Sequence, residues 1–134
     1  MKNRLCELAK EIANNAYSPY SGFKVGAALL CADGSIYLGS NVENASYSVT
    51  VCAERSAFLK AVNDKKYDFT AIAVAGGRDE IGKTLCPPCG VCLQTMAEFC
   101  NPDKFMVYLV NGDGIDEHLL SEMLPFGFKS EDLK

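Results

Sequence analysis

Three thiols and one carboxylate stand in this chain at spacings that could hold and use a metal ion. Cys52 and Glu54 lie in Val51-Cys52-Ala53-Glu54-Arg55, and Cys89 and Cys92 lie in Pro88-Cys89-Gly90-Val91-Cys92. A structural zinc site closes with four protein ligands, whereas a catalytic one keeps a position open for water. Three cysteines with a glutamate beside them fit the second kind. Residues three apart on a helix share a face, with Cβ atoms about 5–6 Å apart, so Cys89 and Cys92 at a helix start can converge on one ion. Cys52 opens a second helix, and the partial positive charge of helix N-termini favours the thiolate form that binds metal.

Each piece alone has a plainer reading. A single C-x-x-C also serves as a zinc knuckle or a redox pair, and Cys52 alone would be a buried core thiol. The combination with Glu54 is what points to catalysis. Cys86-Pro87-Pro88-Cys89 is a second C-x-x-C. Pro87 and Pro88 hold Cys86 off the helix, which favours Cys89 and Cys92 as the pair. With Cys86 as a fourth ligand the site would close and become structural. Cys6, Cys31 and Cys100 read as core thiols. His118, the only histidine, reads as a surface or turn residue rather than a ligand.

The elements that must position these residues follow from periodicity. Leu5, Leu8, Ala9, Ile12, Ala13 and Ala16 recur at helical spacing, so residues 2–16 are predicted as an amphipathic helix, ended by Tyr17-Ser18-Pro19-Tyr20-Ser21-Gly22. Residues 23–31 read as a strand with apolar groups on both faces. Asp33-Gly34 is a hairpin signal, returning through residues 35–39. The Asn- and Ser-rich stretch 41–50 has no period and is read as loop. Residues 52–62 form a helix, 69–75 a buried strand and 78–87 a loop. Pro88 suits a first helical turn, with the helix continuing over 89–100. Residues 105–110 form a strand, 115–119 a short partner strand, and 129–134 a solvated tail. The fold class is α/β: one domain over 1–134, sandwiched around one mixed, five-stranded sheet.

Composition narrows the function. The chain of 134 residues is 49% hydrophobic, enough for one core and too short for two ordinary domains. Seventeen acidic residues against thirteen basic ones, with no basic run, make a poor match for a nucleic-acid backbone. No stretch nears the roughly 18 apolar residues of a membrane span, and charge at Glu7, Lys10 and Glu11 interrupts any signal-like segment. Seven cysteines without such a segment predict reduced thiols in the cytoplasm, some of them on metal.

The motifs together resemble the zinc-dependent cytidine deaminase family, in its small, homotetrameric branch with three cysteine ligands. Cys-Ala-Glu-Arg followed by Pro-Cys-Gly-x-Cys carries the zinc signature of such deaminases. The blocks from Tyr17 to Leu29, from Asn41 to Tyr47, and from Leu124 through Phe128 to Leu133 extend the likeness over nearly the whole chain. The resemblance implies a three-layer α/β/α sandwich. It implies one Zn²⁺ per chain on Cys52, Cys89 and Cys92, with Glu54 as proton shuttle for attack by zinc-bound hydroxide on C4 of cytosine. Phe23 would pack on the pyrimidine, and Asn41 and Glu43, flanking Val42, would take the ribose hydroxyls. The backbone near Ala53 would read the base edge, and Phe128 would reach a neighbouring subunit's site. The implied reaction is conversion of free cytidine, and deoxycytidine, to uridine and ammonia in pyrimidine salvage. Three thiolates and Zn²⁺ sum to a negative charge, and Arg55 is the compensator at hand. The family often carries arginine directly after the last cysteine. Leu93 stands there, while Gln94 is retained. A deaminase of a related aminonucleoside, such as a peptidyl-nucleoside antibiotic, is the rival; a polynucleotide deaminase and a non-enzymatic zinc module fit less well.

Overall fold

The computed structural model describes residues 1–134. Its helices and strands are, in order, α1 (Lys2–Ile12), β1 (Lys24–Cys31), β2 (Ile36–Ser40), α2 (Ala53–Asn63), β3 (Phe69–Gly77), α3 (Gly90–Phe99), β4 (Met106–Asn111), β5 (Gly114–Leu119) and α4 (Leu120–Met123). The strands form one sheet in the order β2-β1-β3-β4-β5. Every pairing is antiparallel except β3 with β4. A parallel pair needs a crossover connection, and α3 supplies it. No helix is long and apolar enough to cross a membrane.

Both faces of the sheet are covered, so its central strands carry apolar residues on both sides. On one face α1 sets Leu5, Cys6 and Ala9 against Ala28, Ala71, Ala73 and Ala75. On the other, α2 and α3 bury Ala57, Phe58, Ala61, Cys92 and Met96 against Leu29, Ile72, Val74, Val107 and Leu109. The result is the expected mixed five-stranded sheet between helical layers. Phe58 pins α2: its ring lies 5.0 Å from that of Phe69 and 6.1 Å from that of Phe99. Truncating such a residue to alanine costs about 3–5 kcal/mol. The start of α2 lies so close on β2 that a Cβ at Gly39 would stand 2.4 Å from the Ala53 carbonyl oxygen and 2.6 Å from the Ala57 nitrogen.

Strand registers decide where the site forms. Lys24 pairs with Gly77, Val25 with Gly76, and Gly26 with Ser40. The first residues of β1 therefore lie beside the last residues of β2 and β3. The chain leaves β2 for residues 41–52 and then α2, and leaves β3 for residues 78–89 and then α3. Both helices begin at this one end of the sheet.

Several local expectations are corrected. The α-helix of the N-terminus stops at Ile12 and tightens into a 3₁₀ turn over Ala13–Asn15. The 41–50 stretch is not all loop: Tyr47–Val49 forms a 3₁₀ turn, and Val42 bridges to Tyr17 and to Val51. Pro88 lies just outside its helix, because Cys89 takes the N-cap with an extended ψ of 167°. The tail is exposed, as expected, but Ser130–Leu133 forms a 3₁₀ turn.

Candidate active site

Cys52 is the N-cap of α2 and Cys89 the N-cap of α3, with Cys92 in the first turn of α3. The first N–H groups of a helix lack intrahelical partners, so both caps hold sulfur where backbone dipoles favour negative charge. The Sγ atoms of Cys52 and Cys89 are 3.7 Å apart, and those of Cys89 and Cys92 are 3.6 Å apart. All three lie within 4.8 Å of one another. A tetrahedral zinc with sulfur at about 2.3 Å separates its ligands by about 3.8 Å. The donor set and its spacing therefore fit zinc, with three sulfurs and no fourth His, Cys, Asp or Glu in the cluster. All seven cysteines are free thiols.

Cys86 is not a member of this cluster. It packs instead beside Gly76, where a Cβ would lie 2.8 Å from the Cys86 sulfur and 3.1 Å from the Phe23 ring. Burial, followed by the charges of Glu54 and Cys52, pushes the Cys86 thiol up to about 11. Cys6, Cys31 and Cys100 are buried, as expected of core thiols. His118 lies half-buried in β5, outside the cluster.

Glu54 is 4% exposed in the first turn of α2. Burial, with the Cys52 thiolate adding to it, raises its carboxyl to about 7. A group poised there can take and return a proton at neutral pH. The Cys52 thiol is lowered to about 5 by a hydrogen bond from Cys92, with Arg55 next in effect. Arg55 donates through Nη2 to the Thr50 carbonyl at 2.8 Å and approaches the Cys52 sulfur at 3.9 Å. Its buried Nε has no partner. The guanidinium thus stands against the thiolate it was expected to offset.

Of the remaining sequence candidates, all but Phe128 gather at the same sheet end. Ala53 is fully buried at the first helical position of α2. Phe23, just before β1, is half-buried, and the Arg78 guanidinium carbon lies 6.0 Å from its ring centroid. Asn41, 8% exposed, bridges two backbone groups: its Oδ1 accepts from the Val25 N–H at 2.8 Å, and its Nδ2 donates to the Phe23 carbonyl at 2.9 Å. Glu43 accepts from the Tyr20 N–H at 2.9 Å, from the Ser21 N–H at 3.1 Å, and from the Ser21 hydroxyl. The Ser21 hydroxyl is the largest cause holding its carboxyl below the ordinary value. Val42 exchanges both backbone hydrogen bonds with Val51 at 2.9 Å and leaves its side chain 48% exposed. Phe128 is 55% exposed and clear of this cluster of contacts; its carbonyl accepts from Gln94 Nε2 at 2.7 Å.

Sequence reasoning missed Ser21, Arg78 and the Gln94 tether. Ser21 sits inside the block from Tyr17 to Phe23, and Gly22 beside it, at φ +70°, marks the tight turn that aims it.

The fold and the three-thiol cluster together define an α/β domain whose sulfur cluster fits zinc and lies near a buried carboxyl. Residues 1–109 match the family described as the cytidine and deoxycytidylate deaminase zinc-binding region, and the chain belongs to that family. It is similar to the cytidine deaminase of Sporosarcina psychrophila, 49% identical over 131 residues that cover 97% of this chain and 93% of that protein. It is also similar to the cytidine deaminase of Halalkalibacterium halodurans, 47% identical over 98% of this chain and 97% of that one. Among solved structures, the cytidine deaminase of Burkholderia pseudomallei superposes with a TM-score of 0.86 at 40% identity, covering 96% of this chain and 99% of that chain.

Proposed function

We propose that this protein converts free cytidine, and deoxycytidine, with water into the corresponding uracil nucleoside and ammonia, in pyrimidine salvage. The observation that carries the reading is three thiols at tetrahedral spacing beside a buried carboxyl near neutrality. Zinc is the proposed cofactor, one per chain, held by Cys52, Cys89 and Cys92. When bound it supplies a Lewis acid that makes water a nucleophile at neutral pH.

The chain's own residues do the rest. Glu54 Oε takes a proton from the attacking water and passes it to N3 of the pyrimidine; it then takes the proton of the hydroxyl added at C4 and delivers it to the departing exocyclic nitrogen. Water adds at C4, the C4–N4 bond breaks, and ammonia leaves. Burial keeps this carboxyl from being levelled by solvent, and its pKa near 7 suits it to both halves of the transfer. Arg55 offsets thiolate charge at Cys52. The first N–H groups of α2, at Ala53 and Glu54, are donors for the edge of the base. Phe23 offers a ring face to the pyrimidine, while Asn41 and Glu43 offer their remaining polar positions to the ribose.

The active form is proposed as a homotetramer with shared sites in the cytoplasm, acting on neither nucleic acid nor membrane. Exposed Phe126, Phe128 and Leu133 leave the C-terminal segment with apolar surface suited to a neighbouring subunit. Seven free thiols are in keeping with a reducing compartment.

The test measures zinc content together with loss of cytidine absorbance, on wild type and Glu54→Gln, with a peptidyl-nucleoside antibiotic and a single-stranded oligonucleotide as rival substrates. Wild type should carry one zinc and prefer cytidine. Glu54→Gln should keep the metal and lose about 10²–10⁴ in kcat. Retained activity in Glu54→Gln, or preference for either rival, would overturn the reading.

A further inference from the structure

The Ser21 hydroxyl joins two groups that the nucleoside reading assigns to different parts of the substrate. It donates to Glu43 Oε2 and accepts from the Phe23 N–H at 2.9 Å. The Ser21 carbonyl in turn accepts from Arg78 Nε at 3.2 Å, and the same arginine lies 6.0 Å from the Phe23 ring centroid. Asn41 fastens the other side of Phe23 by bridging its carbonyl to the Val25 N–H.

A count of polar capacity shows what is left for a ligand. A carboxylate offers about four lone-pair positions. Glu43 uses two on Oε1, for the Tyr20 and Ser21 N–H groups, and one on Oε2, for the Ser21 hydroxyl. One acceptor position on Oε2 remains. Glu43 lines a cavity of about 280 Å³ with Tyr20, Ser21, Tyr47 and Thr50. Without the hydroxyl, Oε2 would have two open positions and only the two N–H bonds on Oε1 would orient the carboxylate, and Phe23 would lose the tie to its N–H.

We infer that Ser21 is a positioning residue of the nucleoside site, its hydroxyl setting the one free acceptor of Glu43 and the Phe23 ring at a fixed spacing. The inference rests on the nucleoside reading above and adds that ribose and base recognition are coupled through one side chain. Ser21 is exposed, so its substitution removes no buried packing.

The test uses the full-length, zinc-loaded protein with Ser21→Ala and Ser21→Thr, each alone and combined with Glu43→Ala, reading KM and kcat for cytidine. Ser21→Ala should raise KM about tenfold, the worth of a charge-assisted hydrogen bond, with kcat changed less than about twofold. Ser21→Thr, which keeps the hydroxyl, should restore KM. On the Glu43→Ala background the same alanine should raise KM by less than about threefold, because coupled partners are not additive. An unchanged KM in Ser21→Ala, a loss confined to kcat, or a full tenfold effect persisting without Glu43 would overturn the role of Ser21. A wild type inactive on every nucleoside would overturn the proposed function and this inference with it.

Discussion

The two ends of the sheet are built from the same strands and differ in almost everything else. At one end β1 begins, β2 and β3 finish, and α2 and α3 start. At the other end lie the Asp33-Gly34 turn, the starts of β3 and β4, and the ends of both helices. α3 shows the contrast within ten residues: Cys89 caps its start and Cys100 its end. The Cys89 sulfur joins two others at 3.6–3.7 Å. Cys100 sits in apolar surroundings, and burial alone pushes its thiol upward. Helix polarity is one reason: N-terminal N–H groups favour anionic sulfur and C-terminal carbonyls oppose it. The other is topological, because the antiparallel β1 brings two helix starts to one place.

The largest expected difference between the ends is chemical. Cys89→Ala should empty the metal site and abolish deamination, read by zinc content and initial rate. Cys100→Ala should keep both and lose about 1 kcal/mol of stability, the scale of one deleted buried heavy atom. Equal loss of activity in both variants would erase the distinction.

Glycine substitutions sharpen it. Gly39→Ala drives a methyl into the start of α2, where backbone stands 2.4 Å away. It should cost about 1–3 kcal/mol or more and lower activity as well, by displacing Cys52 and Glu54. Gly34→Ala meets nothing within 4 Å but must hold φ near +92°. It should cost about 1 kcal/mol and leave kcat/KM untouched. Thermal melts paired with rates separate the two.

The smallest effect belongs to the far-end hairpin. Lys66 first, then Ser35, hold the exposed Asp33 carboxyl below the ordinary range. A carboxyl with a depressed folded pKa stabilises above its unfolded pKa of about 4, and that contribution fades as pH falls toward the folded value. Asp33→Asn should therefore lower Tm slightly at pH 7, with the gap from wild type closing below about pH 4 and activity at pH 7 unchanged. A gap that widened in acid would contradict this sign.

What could be read from residues alone divides along the same lines. The strands were legible because runs such as Phe69–Ala75 are apolar on both faces, and the thiol trio because Cys89-x-x-Cys92 and Cys52-x-Glu54 are each local patterns. Cys86 could be set aside because two prolines separate it from the helix that carries Cys92. The four-residue α4 was not legible: it is too short to show a period, and Glu122 secures it by accepting from the Leu119 N–H at 2.8 Å. Nor was the web around Ser21, Asn41 and Glu43. Side-chain bonds to distant backbone follow no spacing rule, and only the folded chain brings residue 43 to residue 21 and residue 41 to residues 23 and 25. Pro88 misled by one or two positions, because Cys89 takes the cap with an extended ψ.

The central claim is that three sulfurs, and no fourth, surround the metal. X-ray absorption at the zinc edge of the purified, metal-replete protein tests it most directly. The account predicts three sulfur neighbours at about 2.3 Å and one lighter oxygen or nitrogen neighbour. Four sulfurs in the first shell, bringing Cys86 in to close the site, would contradict it.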